Sequence, residues 1–588
     1  MKKKNVIHSG QTGGSKGFVR YIKQEWQLYV LVFLPLVHVL LFKYGAYTGL
    51  ATAFCEYKVA TGLGDFVGFD VFEKIFRHRD FSRAVRNTLL LNVLDLIFSF
   101  PMPIILALLL NEIRVRWFKR VTQTVLYLPH FLSWVVIGSV AYQIFGVSNG
   151  VVNALIANSG HSPIPFLQED TWWLITYVLI GIWQTMGWGT IIYLASITNV
   201  SPDLYEAAKV DGANRLQQCL HITLPCIRST IVIMLILQLG KIMGGSFERI
   251  MALSNAKATE FTTTIPVLVY RWGIEANKFS ESTALGLFQS VIGVTLVLIS
   301  DRIAKKLGED ALLKGGRRML EQKTTKSRAM KLIVDIICYV VVGGASLLCI
   351  IPFIHILAKS LSEEAYVVAN KVFLIPKGFS LEAYNRIFHD PSLLRSMYVT
   401  VVVTVAFTAI GMFLTVCAAY ALTRKEMKGR KVITFLIMFT YYFTAGSIPE
   451  YLLMNRLHML DTWWCLILPL CFAPYNLLIM RNNFQGAIPE SLFESARLDG
   501  ASHFTILRHI VLPLSKPILA TIALFYAVGR WNAYGDALYY IKQRTDLRPL
   551  QLKLYHLIVT ASESFQTEGV VVQTMTNPEV LRAACIMF

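Results

Sequence analysis

The chain has 588 residues, 54% of them hydrophobic and only 16% charged, with a formal net charge of +19. A water-soluble protein carries roughly 25% charged residues, so this composition excludes an ordinary soluble enzyme or regulator. The positive charge does not indicate nucleic acid either, because it gathers in short segments between apolar runs, as the positive-inside rule expects of a membrane protein.

The first segment, MKKKNVIHSGQTGGSKGFVRYIKQEW, is too polar for a cleaved signal peptide. Its GQTGGSKG stretch looks like a phosphate loop, but that motif needs Gly, then Lys, then Ser or Thr. Here Ser15 precedes Lys16, Gly17 follows it and no strand leads in, so residues 1–27 read as a basic cytoplasmic tail. Apolar runs of about 20 residues, the length that crosses a bilayer as a helix, follow in series. They are predicted at 28–50, 86–110, 121–145, 171–195, 229–247 and 283–300, then at 332–358, 396–422, 432–449, 463–480 and 517–535. The runs are continuous rather than alternating, and lipid admits only helices or closed barrels. The predicted fold is therefore all-α: a polytopic membrane protein of two repeated bundles, each of about six transmembrane helices. NPEVLRAACIMF opens a further span, but the six residues after Arg582 cover about 9 Å of a hydrocarbon core near 30 Å. The last helix is expected to be truncated, leaving a lipid-facing gap.

Orientation follows from counting Lys and Arg on alternate sides. The tail 1–27 and the segments 111–120, 196–228, 301–331, 423–431 and 481–516 hold 32 in 146 positions. The opposite segments, 51–84, 146–170, 248–282, 359–395, 450–462 and 536–578, hold 19 in 187. The first set, including the N-terminus, is expected in the cytoplasm, with the whole chain in the cell membrane. The nine cysteines form no CxxC pair, so neither a metal site nor a disulfide framework is expected, and no cofactor is.

The most basic cytoplasmic segment, 301–331, divides the chain into halves of the same plan. Between the fourth and fifth spans of the first half lies YEAAKVDGANRLQQCLHITLP, Tyr205 to Pro225; FESARLDGASHFTILRHIVLP, Phe493 to Pro513, lies 288 residues later with no gap. An identical offset over this length marks an internal repeat. In each copy Glu is followed by small residues, Glu206-Ala207-Ala208 and Glu494-Ser495-Ala496, which let another surface approach closely. Asp211-Gly212 and Asp499-Gly500 come next, and Gly tolerates the positive φ that ends a helix and turns the chain. Pro225 and Pro513 suit the start of the next membrane helix. Each copy is thus predicted to be a short cytoplasmic helix, a sharp turn and a second helix feeding span five. Such an element is a lever that passes motion from a cytosolic partner into the membrane; an amphipathic loop helix on the lipid surface is the bland alternative for one copy.

The pattern E-A-A, three residues, G, nine residues, I-x-L-P resembles the signature of ABC importer membrane subunits. The first half carries it fully, and the second has Ser495 for the central Ala. Both halves resemble the carbohydrate-uptake permeases related to the maltose system. The first is similar to the LplB-type subunit through NEIRVRWFKRVTQTVLYLPHFLSWVVI, the second to the YtcP-type through KVFLIPKGFSLEAY and WNAYGDALYYI. The resemblance implies a type I ABC importer permease fold in a head-to-tail fusion: a first permease domain at 28–303, a linker at 304–331 and a C-terminally incomplete second domain at 332–588. It implies a translocation pathway for sugars, oligosaccharides foremost, with no catalysis of its own. A separate cytosolic ATPase dimer would receive both levers, with Glu206 and Glu494 meeting basic residues in its cleft. An extracellular solute-binding (lipo)protein would deliver the carbohydrate.

Sugar sites use aromatic faces against rings and polar groups for hydroxyls. Candidates are Trp183, Gln184, Trp188 and Tyr193 in span four, and Trp531, Asn532 and Tyr534 after span five of the second half. Ionisable residues at membrane depth are costly and often functional. Lys241 and Arg530 stand one position from repeat equivalence, and Asp95 lies within LNVLDLIFSF; they line the pathway or hold structural pairs. Three rivals stay open. An ion-driven secondary transporter does not explain two cytosolic Glu-Ala-Ala stretches. An intramembrane enzyme lacks HExxH, GxSxG or paired carboxylates with His. An ABC importer of a non-sugar solute is disfavoured by the resemblance.

Overall fold

The computed structural model describes residues 24–58, 62–147, 150–254, 260–314, 328–564, 580 and 583–584. The phosphate-loop look-alike, most of the N-terminal tail, much of the linker and most of the last apolar piece lie outside these residues. The architecture is helical, with one antiparallel ribbon, Cys55–Lys58 against Gly62–Phe66, after the first span. Among the described residues six helices are long and apolar enough to cross a membrane: Trp26–Phe54, Arg79–Glu112, Asp170–Thr198, Phe279–Ser300, Asp335–Ser360 and Pro391–Thr423. Four bent pairs bring the number up to ten if each pair is one broken span.

The bent pairs show what a hydropathy profile cannot. Arg116–Phe131 and Trp134–Phe145 meet at 103°, and a second break separates Arg430–Tyr442 from Ser447–Arg456. Irregular backbone is tolerated at membrane depth only where protein groups satisfy it. At the first break Ser133 caps the Val136 N–H at 3.2 Å and donates to Gln551 at 2.6 Å. At the second, the Tyr47 hydroxyl donates to the Phe443 carbonyl at 2.6 Å. The apolar run 463–480 is not one helix: Trp463–Ile467 stops, and a new helix begins at Pro474 and ends at Gly486. The run at 229–247 ends as a helix at Gly240 and turns through Gly245, whose φ is +60°.

The described chain forms two compact units that do not follow the sequence halves. One combines residues through Thr48 with Val402–Thr444 and Trp464–Arg530. Here Leu28, Leu31, Val32 and Val39 of the leading helix are buried with Leu414, Tyr420, Ile437, Leu477 and Ile522 of the second half. The other unit holds Gly49–Val401, Ala445–Trp463 and Trp531–Phe588. Here Val342 and Cys349, on the second half's leading helix Arg328–Ser360, are buried with Leu106, Leu110, Leu126 and Met186 of the first half. Each leading helix therefore completes a cluster built by spans of the other half.

Asp95 finds its partner inside the second of these units. Its carboxylate accepts from Arg249 Nη1 at 2.8 Å, with side chains 15% and 5% exposed. The Arg249 guanidinium lies 3.5 Å over the Tyr177 ring and donates to the Tyr177 carbonyl. A Cβ at Gly181 would overlap that guanidinium, so any larger residue there displaces Arg249 from this position. Breaking such a pair leaves a buried charge without its counter-ion. Asp95→Asn should destabilise the protein by about 3 kcal/mol, read as a lower thermal midpoint of the detergent-solubilised protein. A midpoint equal to wild type would deny the pair a structural role.

Candidate functional site

The two repeated polar stretches fold alike, residue for residue. The first lever helix is Pro202–Val210 and the second Glu490–Leu498. Each ends in a six-to-one and five-to-two pair of backbone bonds. In the first, Ala213 N–H reaches the Ala208 carbonyl at 2.8 Å and Gly212 N–H the Lys209 carbonyl at 3.1 Å. In the second, Ala501 reaches Ala496 at 2.9 Å and Gly500 reaches Arg497 at 3.0 Å. Gly212 and Gly500 sit at φ +79° and +80°, where an L side chain is strained. The next helices begin at Arg215 and His503, capped by Asn214 on the Gln217 N–H and Ser502 on the Thr505 N–H.

Both second helices then widen into π turns, Cys219–Thr223 and Leu507–Val511. Proline one residue further, Pro225 and Pro513 counted from the Leu that follows, supplies the reason: it cannot donate to the carbonyl four back, and its ring crowds that carbonyl. A break follows in each copy, with bends of 60° into Arg228–Gly240 and 85° into Lys516–Asn532. The lever is thus hinged to span five in both halves.

Glu206, Ala207, Asp211 and Gly212 are exposed and Ala208 is half-buried; Glu494, Ser495, Asp499 and Gly500 are exposed and Ala496 is half-buried. Val210 and Leu498, at equivalent positions, are 88% and 89% exposed. Both repeats thus hold an apolar side chain in the open at the same point. The inner faces are anchored. Tyr205 bonds the Thr223 hydroxyl at 3.0 Å, while its counterpart Phe493 is buried 3.7 Å beneath the Arg424 guanidinium. Arg497 donates to Glu426 at 2.5 Å. Burial acts to raise the Glu426 carboxyl, yet a backbone hydrogen bond and the Arg497 guanidinium hold it below its ordinary value.

The sugar-contact candidates scatter. Tyr193 is 2% exposed in an apolar cluster, and Tyr534 is fully buried, donating to the Glu248 carbonyl at 2.9 Å and stacking on Tyr555. Trp183 donates to the Leu348 carbonyl at 3.2 Å. Gln184 is buried, Lys241 is exposed beyond the end of its helix, and Trp531 is half-buried. Arg530 is 4% exposed, 5.7 Å over the Phe407 ring. Trp188 and Asn532 share a neighbourhood at Phe131. Trp188 stacks on His130 at 4.4 Å and meets Phe131 edge-on, and Asn532 donates to the Phe131 carbonyl at 2.9 Å. His130 and Phe131 were not singled out from sequence; their signal is Pro129, which breaks span three beside them.

A family model described as binding-protein-dependent transport system inner membrane component matches residues 99–309 and again 392–567. Three relatives come from Bacillus subtilis (strain 168). The polygalacturonan/rhamnogalacturonan transport system permease protein YteP is 42% identical over 296 residues, 50% of this chain and 92% of that protein. Protein LplB is 42% identical over 293 residues, with coverage of 50% and 92%. The permease protein YtcP, named for the same transport system as YteP, is 42% identical over 228 residues, 39% of this chain and 79% of that protein. Each relative accounts for about half of the chain, and the two matched segments fit a tandem fusion.

The lever turns can be tested in isolation, because a Cβ at Gly212 or Gly500 would meet nothing within 4 Å. Gly212→Val and Gly500→Val should each destabilise the turn by about 1–2 kcal/mol through backbone strain alone. The readout is faster amide hydrogen exchange over 207–213 or 495–501. Asparagine, which tolerates the left-handed region, should stay near wild type; unchanged exchange in the valine variants would contradict the turn.

Proposed function

The chain belongs to the binding-protein-dependent transport system inner membrane components, and from that premise we propose that it is the membrane-spanning translocation-pathway subunit of an ATP-driven oligosaccharide importer. The two permease domains, 28–303 and 332–588, would be joined by the linker at 304–331. The protein is a multi-pass component of the plasma membrane, and the bias of Lys and Arg favours a cytosolic N-terminus. A cytosolic ATPase dimer binds the two levers, with Glu206 and Glu494 paired to basic groups in its clefts and Val210 and Leu498 seated beside them. ATP hydrolysis takes place on that partner. An extracellular binding protein hands over the sugar, and Trp188 and Asn532 are the first pathway contacts to test.

The observation that carries this reading is the equivalence of the levers. A membrane-surface helix has no reason to repeat its glycine turn, the Asn214 or Ser502 cap after it, the π turn and the exposed Val210 or Leu498 at one offset. Two docking points on one chain suit a two-fold ATPase dimer.

The test is sugar uptake by vesicles holding this chain, its ATPase and its binding protein. Glu206→Ala with Glu494→Ala should lower ATP-dependent uptake more than tenfold, as removing paired charges from an interface does, at unchanged membrane abundance. Uptake driven by an ion gradient with no ATPase present would overturn the proposal in favour of a secondary transporter.

A further inference from the structure

Arg215 and His503 are equivalent positions, 288 residues apart, and each opens the short helix after its lever turn. The helices they open, Arg215–Cys226 and His503–Leu514, are of a length that is marginal in isolation. In both copies a carboxylate from another element of the chain meets the first residue of that helix.

Arg215 Nη1 donates to the Asp335 carboxylate, and its Nε lies 3.7 Å from Glu112. The Arg215 side chain is 17% exposed. His503 Nε2 lies 2.8 Å from Glu25 Oε2, its Nδ1 lies 3.0 Å from the Tyr420 hydroxyl, and Arg497 Nη2 stands 3.5 Å from Nε2. Its backbone N–H donates to Gln27 Oε1 at 2.7 Å, and the Trp26 ring meets Phe504 edge-on at 6.1 Å.

The acids share a topological place. Asp335 lies on the leading helix of the second half and holds the lever of the first. Glu25 directly precedes the leading helix of the first half and holds the lever of the second. These are the helices whose apolar faces complete clusters of the other half's spans.

We propose that Arg215 and His503 are positioning residues that latch each lever to the leading helix of the other half. A displaced lever then moves span five of its own half and the leading helix of its counterpart together. The chemistry differs between the copies, a guanidinium with two carboxylates in one and an imidazole with one carboxylate in the other, but the connection is the same. The inference rests on the importer reading above.

The test uses the full chain reconstituted with its ATPase and binding protein, measuring sugar taken up and ATP hydrolysed in the same vesicles. Asp335→Asn and Glu25→Gln should each lower sugar moved per ATP by roughly fivefold or more, a coupling loss, while hydrolysis stimulated by the loaded binding protein persists. A residue that merely stabilised the fold would lower both together. The reversed pair E25R/H503E should restore the ratio lost in Glu25→Gln, because Arg497 also faces the new carboxylate. If Glu25→Gln fails to assemble, the reversed pair decides: recovered assembly and ratio support the latch, and continued failure overturns it. Wild-type coupling with unchanged ratios in both neutral variants overturns the latch alone. A wild-type complex without ATP-driven uptake overturns the importer reading and the latch with it.

Discussion

Hydrocarbon offers no water to a peptide group, so every N–H and C=O at membrane depth must be satisfied by the chain itself. The rest of this structure follows from that constraint. Long helices such as Asp170–Thr198 and Pro391–Thr423 meet it within the segment. Where the backbone departs from helix, a side chain stands in, as Tyr47 does at Phe443 and Ser133 at Val136. The levers are polar, hinged and turned by glycine, and these are properties of a chain that has left the hydrocarbon.

What the sequence made legible was locally encoded. The lever turn is set by Gly212 or Gly500, the caps by Asn214 or Ser502, and the π turn by the proline that follows. Each signal lies within a few residues of its effect, and the offset of 288 repeated all of them. The broken spans were not legible, because the groups that permit them are distant: Gln551 lies 418 residues from Ser133, and Tyr47 lies 396 from Phe443. The exchange of leading helices was hidden for the same reason, since hydropathy reports that Leu28 or Val342 is buried but not against what.

The sugar candidates illustrate the limit most plainly. Trp183, Tyr193 and Tyr534 stand out in sequence as aromatics near polar groups, and the fold packs them or bonds them to backbone carbonyls. Asp95 was conspicuous as a carboxylate in an apolar run, but its partner Arg249 comes from a short helix far along the chain, Phe247–Leu253. His503, at the position of Arg215, lies in the repeated stretch three residues past the glycine, where the two copies align.

Two levers with one geometry and two anchoring chemistries describe a pathway built from related but non-identical halves. Its central claim is that both levers meet a nucleotide-hydrolysing partner in the cytosol. A photo-crosslinking residue placed at Glu206, and separately at Glu494, tests that most directly. The account predicts a covalent adduct to the ATPase subunit from each position in native membranes. Absence of an adduct from both positions, or their labelling by an impermeant reagent outside intact cells, would contradict it.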